Sequence, residues 1–162
     1  MAGTVAIGIQ QFNEIRKKGY FYIDKTAFIR EWWEKGDSVT LITRPRRFGK
    51  TLTMSMVEQF FSVKYAGQQN LFEGLAIWKT KAYREIQGTY PVISLSFANL
   101  KEPSYELTRQ KVCDQLQQLY TEHAYIWESG ILKGADKSFF ERMLHNEKVE
   151  YVDATLALYK LS

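Results

Sequence analysis

The alternation of apolar and polar positions divides the chain into short amphipathic helices, two apolar extended runs and polar connections. Residues 12–18 read as a short helix closed by Gly19, and residues 20–23 alternate aromatic and aliphatic side chains like an extended entry. From about Lys25 to Lys35, Phe28, Ile29, Trp32 and Trp33 share one stripe at helical spacing, with Asp24 or Thr26 as the cap and Gly36 as the stop. Two adjacent rings cannot both face inward, so one of Trp32 and Trp33 is expected at the surface or in a contact. Val39, Thr40, Leu41, Ile42 and Thr43 are β-branched or apolar throughout and read as a buried strand. A helix is predicted over residues 51–62, with Leu52, Met56, Val57, Phe60 and Phe61 on one side.

Residues 64–69 are polar and read as a loop. Residues 71–78 read as irregular or a single helical turn, and residues 83–87 as a short helix ended by Gly88. Residues 92–97 form the second apolar run and the second predicted strand, with Pro91 tolerated at its start. A long helix follows over residues 103–123, with Tyr105, Val112, Leu116, Leu119 and Tyr120 on one face. Two further helices are predicted at about residues 138–145 and 152–161. Strand, loop, helix, strand, helix is the order of an α/β fold with a parallel sheet. Two strands are few for a complete sheet of that kind.

Composition changes this picture little. The chain has 162 residues with 45% hydrophobic and 25% charged positions, which suits a single globular domain with its own core. Cys113 is the sole cysteine, so no internal disulfide forms. A net charge of +4 is too mild to indicate nucleic acid by itself, but Arg44, Arg46 and Arg47 crowd one short loop. The first residues lack a signal peptide's basic and apolar regions, and no run reaches the roughly 18 apolar residues of a membrane helix. A soluble, cytoplasmic protein with no membrane contact is the expectation.

The chemistry concentrates in VTLITRPRRFGKTLTMSMVEQFF. A phosphate-binding loop needs an anchoring strand, a turn that gathers backbone N–H groups, and a helix whose N-terminus adds partial positive charge. Gly49, Lys50 and Thr51 match the end of G-x-x-x-x-G-K-[ST]. In that pattern Gly49 lets the backbone approach phosphates, Lys50 reaches the β- and γ-phosphates, and Thr51 places its hydroxyl on Mg²⁺. The N–H groups of Arg47, Gly49, Lys50, Thr51 and Leu52 are the expected cradle. The candidate site is therefore Arg47, Phe48, Gly49, Lys50, Thr51 and Leu52, with Arg44 and Arg46 as further candidates. The expected cofactors are ATP and Mg²⁺. Arg44 replaces the first glycine of the pattern, which weakens the general match. Average composition alone yields Gly-Lys-[Ser/Thr] in roughly one chain in ten of this length, so the flanking strand and helix carry much of the argument.

With LITRPRRFGKTLTMSM, the stretches IGIQQFNEIRKKGYFYIDKTAFI, LFEGLAIW and GTYPVISLSF resemble the bacterial AAA-ATPase-like family. The resemblance runs from about Ile7 to at least Phe97. Members look like P-loop ATPases, often followed by a nuclease-like domain of the PD-(D/E)XK type. In that family an arginine stands in place of the first glycine, so Arg44, Arg46, Arg47, Gly49, Lys50 and Thr51 carry over directly. The implied fold is an incomplete P-loop NTPase-type three-layer α/β fold with a partial parallel sheet. Residues 1–162 are expected to be the N-terminal, Walker A half of one such domain. The family's later apolar strand ending in acidic residues, the Walker B element, has no counterpart after Phe97, and neither has the nuclease-like region. The expectation is ATP binding with weak or absent hydrolysis, and no catalytic residue is assigned.

Other readings compete. The arginine-rich loop and nearby aromatics suit a nucleic-acid backbone, in this chain or in the full-length protein. A non-enzymatic interaction module is the third reading. Arg46 and Arg47 suit phosphate, a neighbouring subunit or plain solvent equally. Cys113 reads as structural, and His123 and His145 lack metal-ligand spacing. A sheet short of strands has unpaired edges, so self-association is expected.

Overall fold

Phe12, Ile29, Met56 and Phe60 are wholly buried, and they come from three helices that the sequence pattern marks out. These are α1 (Phe12–Lys17), α2 (Ala27–Lys35) and α3 (Lys50–Phe61). The computed structural model describes residues 4–5, 8–43, 45, 48–145 and 149–162. The chain divides into two units, Met1–Val92 and Ile93–Ser162, each with its own apolar core.

In the first unit, 3₁₀ turns at Val63–Tyr65, Gln69–Leu71 and Ala76–Lys79 lead into α4 (Lys81–Ile86). The core is largely aromatic. Phe72 stacks on Phe12 at 5.1 Å and meets Phe60 edge-on, also at 5.1 Å. Trp32 and Trp33 both reach Phe61, and Trp33 remains 39% exposed, as two neighbouring rings on one helix require. Met56, Phe60 and Phe61 of the expected α3 stripe are buried, with Leu52 and Val57 half-buried beside them.

The sequence pattern did not mark the polar side of α3, which is also buried. The first amide of α1, at Phe12, donates to Ser55 Oγ at 3.1 Å. Ser55 Oγ donates in turn to Gln11 Oε1 at 3.0 Å and accepts from Gln59 Nε2 at 3.0 Å. A helix N-terminus without its own capping side chain is thus satisfied by a neighbouring helix. At the other end of α3, the Phe60 and Phe61 carbonyls accept the Gly88 and Tyr90 amides at 2.8 and 2.9 Å. Gly88 allows this approach. Its φ is 70°, and a Cβ there would lie 2.8 Å from Ala66 Cα.

The expected partial parallel sheet of an α/β fold is not formed. Among the described residues the chain is 59% helical and 1% strand, with no sheet. Strand-type pairing is seen in the parallel bridge between Ser62 and Tyr90. Residues 39–43 are without regular structure, and Val39 and Leu41 are 87% and 83% exposed. Of residues 92–97, Ile93 and Phe97 are exposed, and the boundary between the units falls inside this run. The reason is that β-branched, apolar composition describes how well a side chain suits a sheet, whereas a strand exists only where a neighbour completes its ladder. The three-layer arrangement and the sheet edges inferred from it fall with the sheet.

The second unit is helical: α5 (Tyr105–Glu122), α6 (Ala124–Glu128), α7 (Gly134–His145) and α8 (Tyr151–Leu161). Ser104 caps α5 by accepting the Leu107 amide at 3.2 Å. Tyr120, Phe139, Phe140, Met143 and Ala157 are buried together, and Tyr120 Oη donates to the Ala157 carbonyl at 2.8 Å. Arg142 pairs with Asp153 at 3.1 Å and Lys160 with Asp136 at 2.6 Å, tying α7 to α8. No helix among the described residues is long and apolar enough to cross a membrane.

Candidate functional site

Helix α3 opens on Gly49, whose backbone sits in the left-handed region at φ 75°, ψ 27°. A side chain in that conformation costs roughly 1–2 kcal/mol, so glycine fits the position for a physical reason. The Gly49 carbonyl accepts the Thr53 amide at 2.8 Å, the first intrahelical bond. The amides of residues 50–52 precede that bond, where a helix has no carbonyl of its own to offer. The peptide dipoles concentrate partial positive charge at the same place.

Gly49, Lys50, Thr51 and Leu52 lie together on the first turn of α3. Lys50 and Thr51 are exposed, while Leu52 packs against the core and anchors the turn. The Phe48 amide donates to the Pro45 carbonyl at 3.4 Å, and Phe48 is 61% exposed. Arg44, Arg46 and Arg47 lie outside the described residues.

A further cation comes to this turn from a distant part of the sequence. A Cβ placed on Gly49 would lie 3.6 Å from Lys25 Nζ. The segment bearing Lys25 is held on both sides. The Lys25 amide donates to Tyr22 Oη at 3.4 Å, and Tyr22 Oη donates to Met56 Sδ at 3.1 Å, on α3 itself. Asp24 Oδ1 accepts the Thr26 amide at 2.8 Å and the Thr26 hydroxyl at 2.7 Å, while Asp24 Oδ2 accepts the Ala76 amide at 2.7 Å. Thr26 Oγ1 accepts the Ile77 amide at 3.1 Å. Of the two expected caps, Thr26 occupies the N-cap of α2 without a side-chain capping bond. The other, Asp24, instead braces the turn before α2 and joins it to the 3₁₀ turn Ala76–Lys79.

These groups titrate accordingly. Burial pushes the Tyr22 hydroxyl up to about 12, against smaller opposing effects of the Lys25 amide and Arg16. Burial acts to raise the Asp24 carboxyl. The bonds from Thr26 and Ala76, with the charge of Arg16, outweigh it and hold Asp24 below its ordinary value.

The first turn of α3 suits the phosphates of a nucleotide, since it offers backbone donors, a lysine and a close backbone approach at Gly49. For Mg²⁺ it offers the Thr51 hydroxyl, and that ion keeps several waters and takes phosphate oxygens as ligands. Among the described residues no group of three His, Cys, Asp or Glu side chains is placed to hold a metal.

Over residues 6–160 the chain matches the protein family described as "Predicted AAA-ATPase". The chain belongs to this AAA-ATPase-like family. The match covers both helical units and the Gly49–Leu52 turn. The chain is also similar to an uncharacterized protein in the vnfD 5′ region of Azotobacter chroococcum mcd 1, at 37% identity over 97 residues. That alignment covers 56% of this chain and 16% of the relative, so the chain corresponds to a small part of the relative's length. No solved structure gives a significant match.

In this AAA-ATPase-like chain the local pattern groups Gly49 to Leu52 but does not bring Lys25 to them. The local signal is a Tyr-x-Asp-Lys-Thr run whose acid and hydroxyl suit a helix cap and carry no information about residue 49.

Proposed function

We propose that this AAA-ATPase-like chain binds the phosphate groups of ATP, with Mg²⁺, on the first turn of α3. The observation that carries the reading is Gly49 in the left-handed conformation at the mouth of an amphipathic helix, followed directly by Lys50 and Thr51. In this reading the amides of residues 49–52 receive phosphate oxygens, Lys50 neutralises the β- and γ-phosphates, and Thr51 donates its hydroxyl oxygen to Mg²⁺. Arg44, Arg46 and Arg47, close in sequence, add positive charge to the same loop. Phosphates are the recognised feature, because no residue here is assigned to the base.

Hydrolysis by this chain is proposed to be slow. Phosphoryl transfer depends on positioned metal ligands and a group that orients water, and the sequence after Phe97 offers no apolar run ending in paired acids for that task. Calorimetry with Mg-ATP tests the binding. Lys50→Ala is expected to weaken it about tenfold or more, the scale of a hydrogen bond to a charged group. Equal binding by Lys50→Ala contradicts the assignment. A phosphate-release assay is expected to show turnover close to the buffer blank, and brisk Lys50-dependent release contradicts that part.

A further inference from the structure

We infer that Lys25 is a second phosphate-binding lysine of this site, delivered to the Gly49 turn by a braced segment that precedes α2. The inference rests on the nucleotide-phosphate reading above and adds a residue that the phosphate-loop pattern does not contain.

Its basis is the juxtaposition of Lys25 Nζ and Gly49. The ammonium lies 3.6 Å from the point a Gly49 side chain would occupy, beside the start of α3. A lysine side chain has four rotatable bonds and a strongly hydrated head, so without a reason to do otherwise it extends into water. Here Lys25 is half-buried, and no ion pair joins it to a carboxylate among the described residues. An ammonium held next to a helix N-terminus faces the positive end of the helix dipole, which is electrostatically unfavourable on its own. An anion seated on the turn reverses the sign of that interaction. It meets the helix amides, Lys50 and Lys25 together.

The backbone around Lys25 is fixed as a binding element requires. Tyr22 links it to Met56 on α3, while Asp24 and Thr26 link it to the Ala76 and Ile77 amides. Less ordering therefore remains to be done when the anion arrives, which favours affinity. The ligand chemistry that fits Lys25 and Lys50 beside one set of amides is a polyphosphate, with the charge of two or more linked phosphates.

The test is calorimetry of the full chain with Mg-ATP, Mg-ADP and inorganic pyrophosphate, using wild type, Lys50→Ala, Lys25→Met and Lys25→Arg. Lys25→Met keeps the apolar stem and removes the ammonium, its charge and its donors. It is expected to weaken all three ligands about tenfold, with a shallower loss of affinity as salt rises. Lys25→Arg is expected to recover most of the affinity, and both variants to melt within a few degrees of wild type without ligand. If Lys50→Ala abolishes binding but Lys25→Met stays within twofold of wild type, the Lys25 inference is wrong and the nucleotide reading stands. If wild type binds none of the three ligands, the nucleotide reading itself fails. If Lys25→Met and Lys25→Arg lose affinity equally with an unchanged salt dependence, Lys25 acts structurally and the inference is overturned.

Discussion

Gly49 carries two demands at once, a left-handed backbone and an open approach to the first turn of α3. Gly49→Ala is expected to lower stability by about 1 kcal/mol through backbone strain, since the new methyl would meet Lys25 Nζ at ordinary contact distance. Chemical denaturation reads the stability. A parallel Mg-ATP titration is expected to show weaker binding, because the same methyl stands where phosphate would approach. Asp24 offers a second residue-scale check. Its carboxylate accepts three hydrogen bonds in the folded chain, and its pKa is held down. The stability from this depression is whole above the ordinary aspartate value of about 4 and fades as pH falls through the lowered folded value. Asp24→Asn is expected to destabilise at neutral pH by about 1 kcal/mol and to flatten the acid limb of the stability curve. An unaltered acid limb in that variant contradicts the role.

At the scale of elements, the helices were readable and the strands were not. Residues 12–18, 83–87 and 103–123 were marked by apolar spacing and by Gly19, Gly88 and Pro103, and the helices found there differ by two residues or fewer at each end. Short α6 escaped because one turn and a half carries too little periodicity. The runs at 39–43 and 92–97 misled, because side-chain type was legible while the pairing partner was not. The buried polar face of α3 was equally hidden. Ser55 and Gln59 lie outside the apolar stripe, and only the Phe12 amide and Gln11 account for their burial. Ser55→Ala strands the buried Phe12 amide and is expected to cost about 1–3 kcal/mol in urea unfolding. A change below a few tenths would mean that another group takes over this amide. The candidate site was half legible. Gly49 to Leu52 stood in the sequence as a pattern, whereas Lys25 arrives through long-range contacts that no local pattern encodes.

On the scale of the whole chain, two cores imply two separable losses of structure. Phe72 is buried in the first core and Phe139 in the second. Phe72→Ala and Phe139→Ala are each expected to remove about 3–5 kcal/mol from their own unit. Tryptophan fluorescence is dominated in the first unit by Trp32, Trp33 and Trp78, while Trp127 reports the second. Unfolding followed in variants that keep only one set is expected to give different midpoints. Coincident transitions in both core variants contradict independent units. Alkali is expected to weaken both. Burial raises the hydroxyl pKa of Tyr22 to about 12, and burial, followed by the charge of Asp153, raises that of Tyr120. Their contribution is whole below the ordinary tyrosine value of about 10, and it declines as pH rises toward the folded values, because the unfolded chain gives up its protons first.

The measurement closest to the central proposal is an amide chemical-shift titration with Mg-ATP. The expected result is saturable movement of the Gly49, Lys50, Thr51 and Leu52 amides, greatly reduced in Lys50→Ala. Saturable shifts confined to other segments, or none at millimolar nucleotide, would contradict a phosphate site on the first turn of α3.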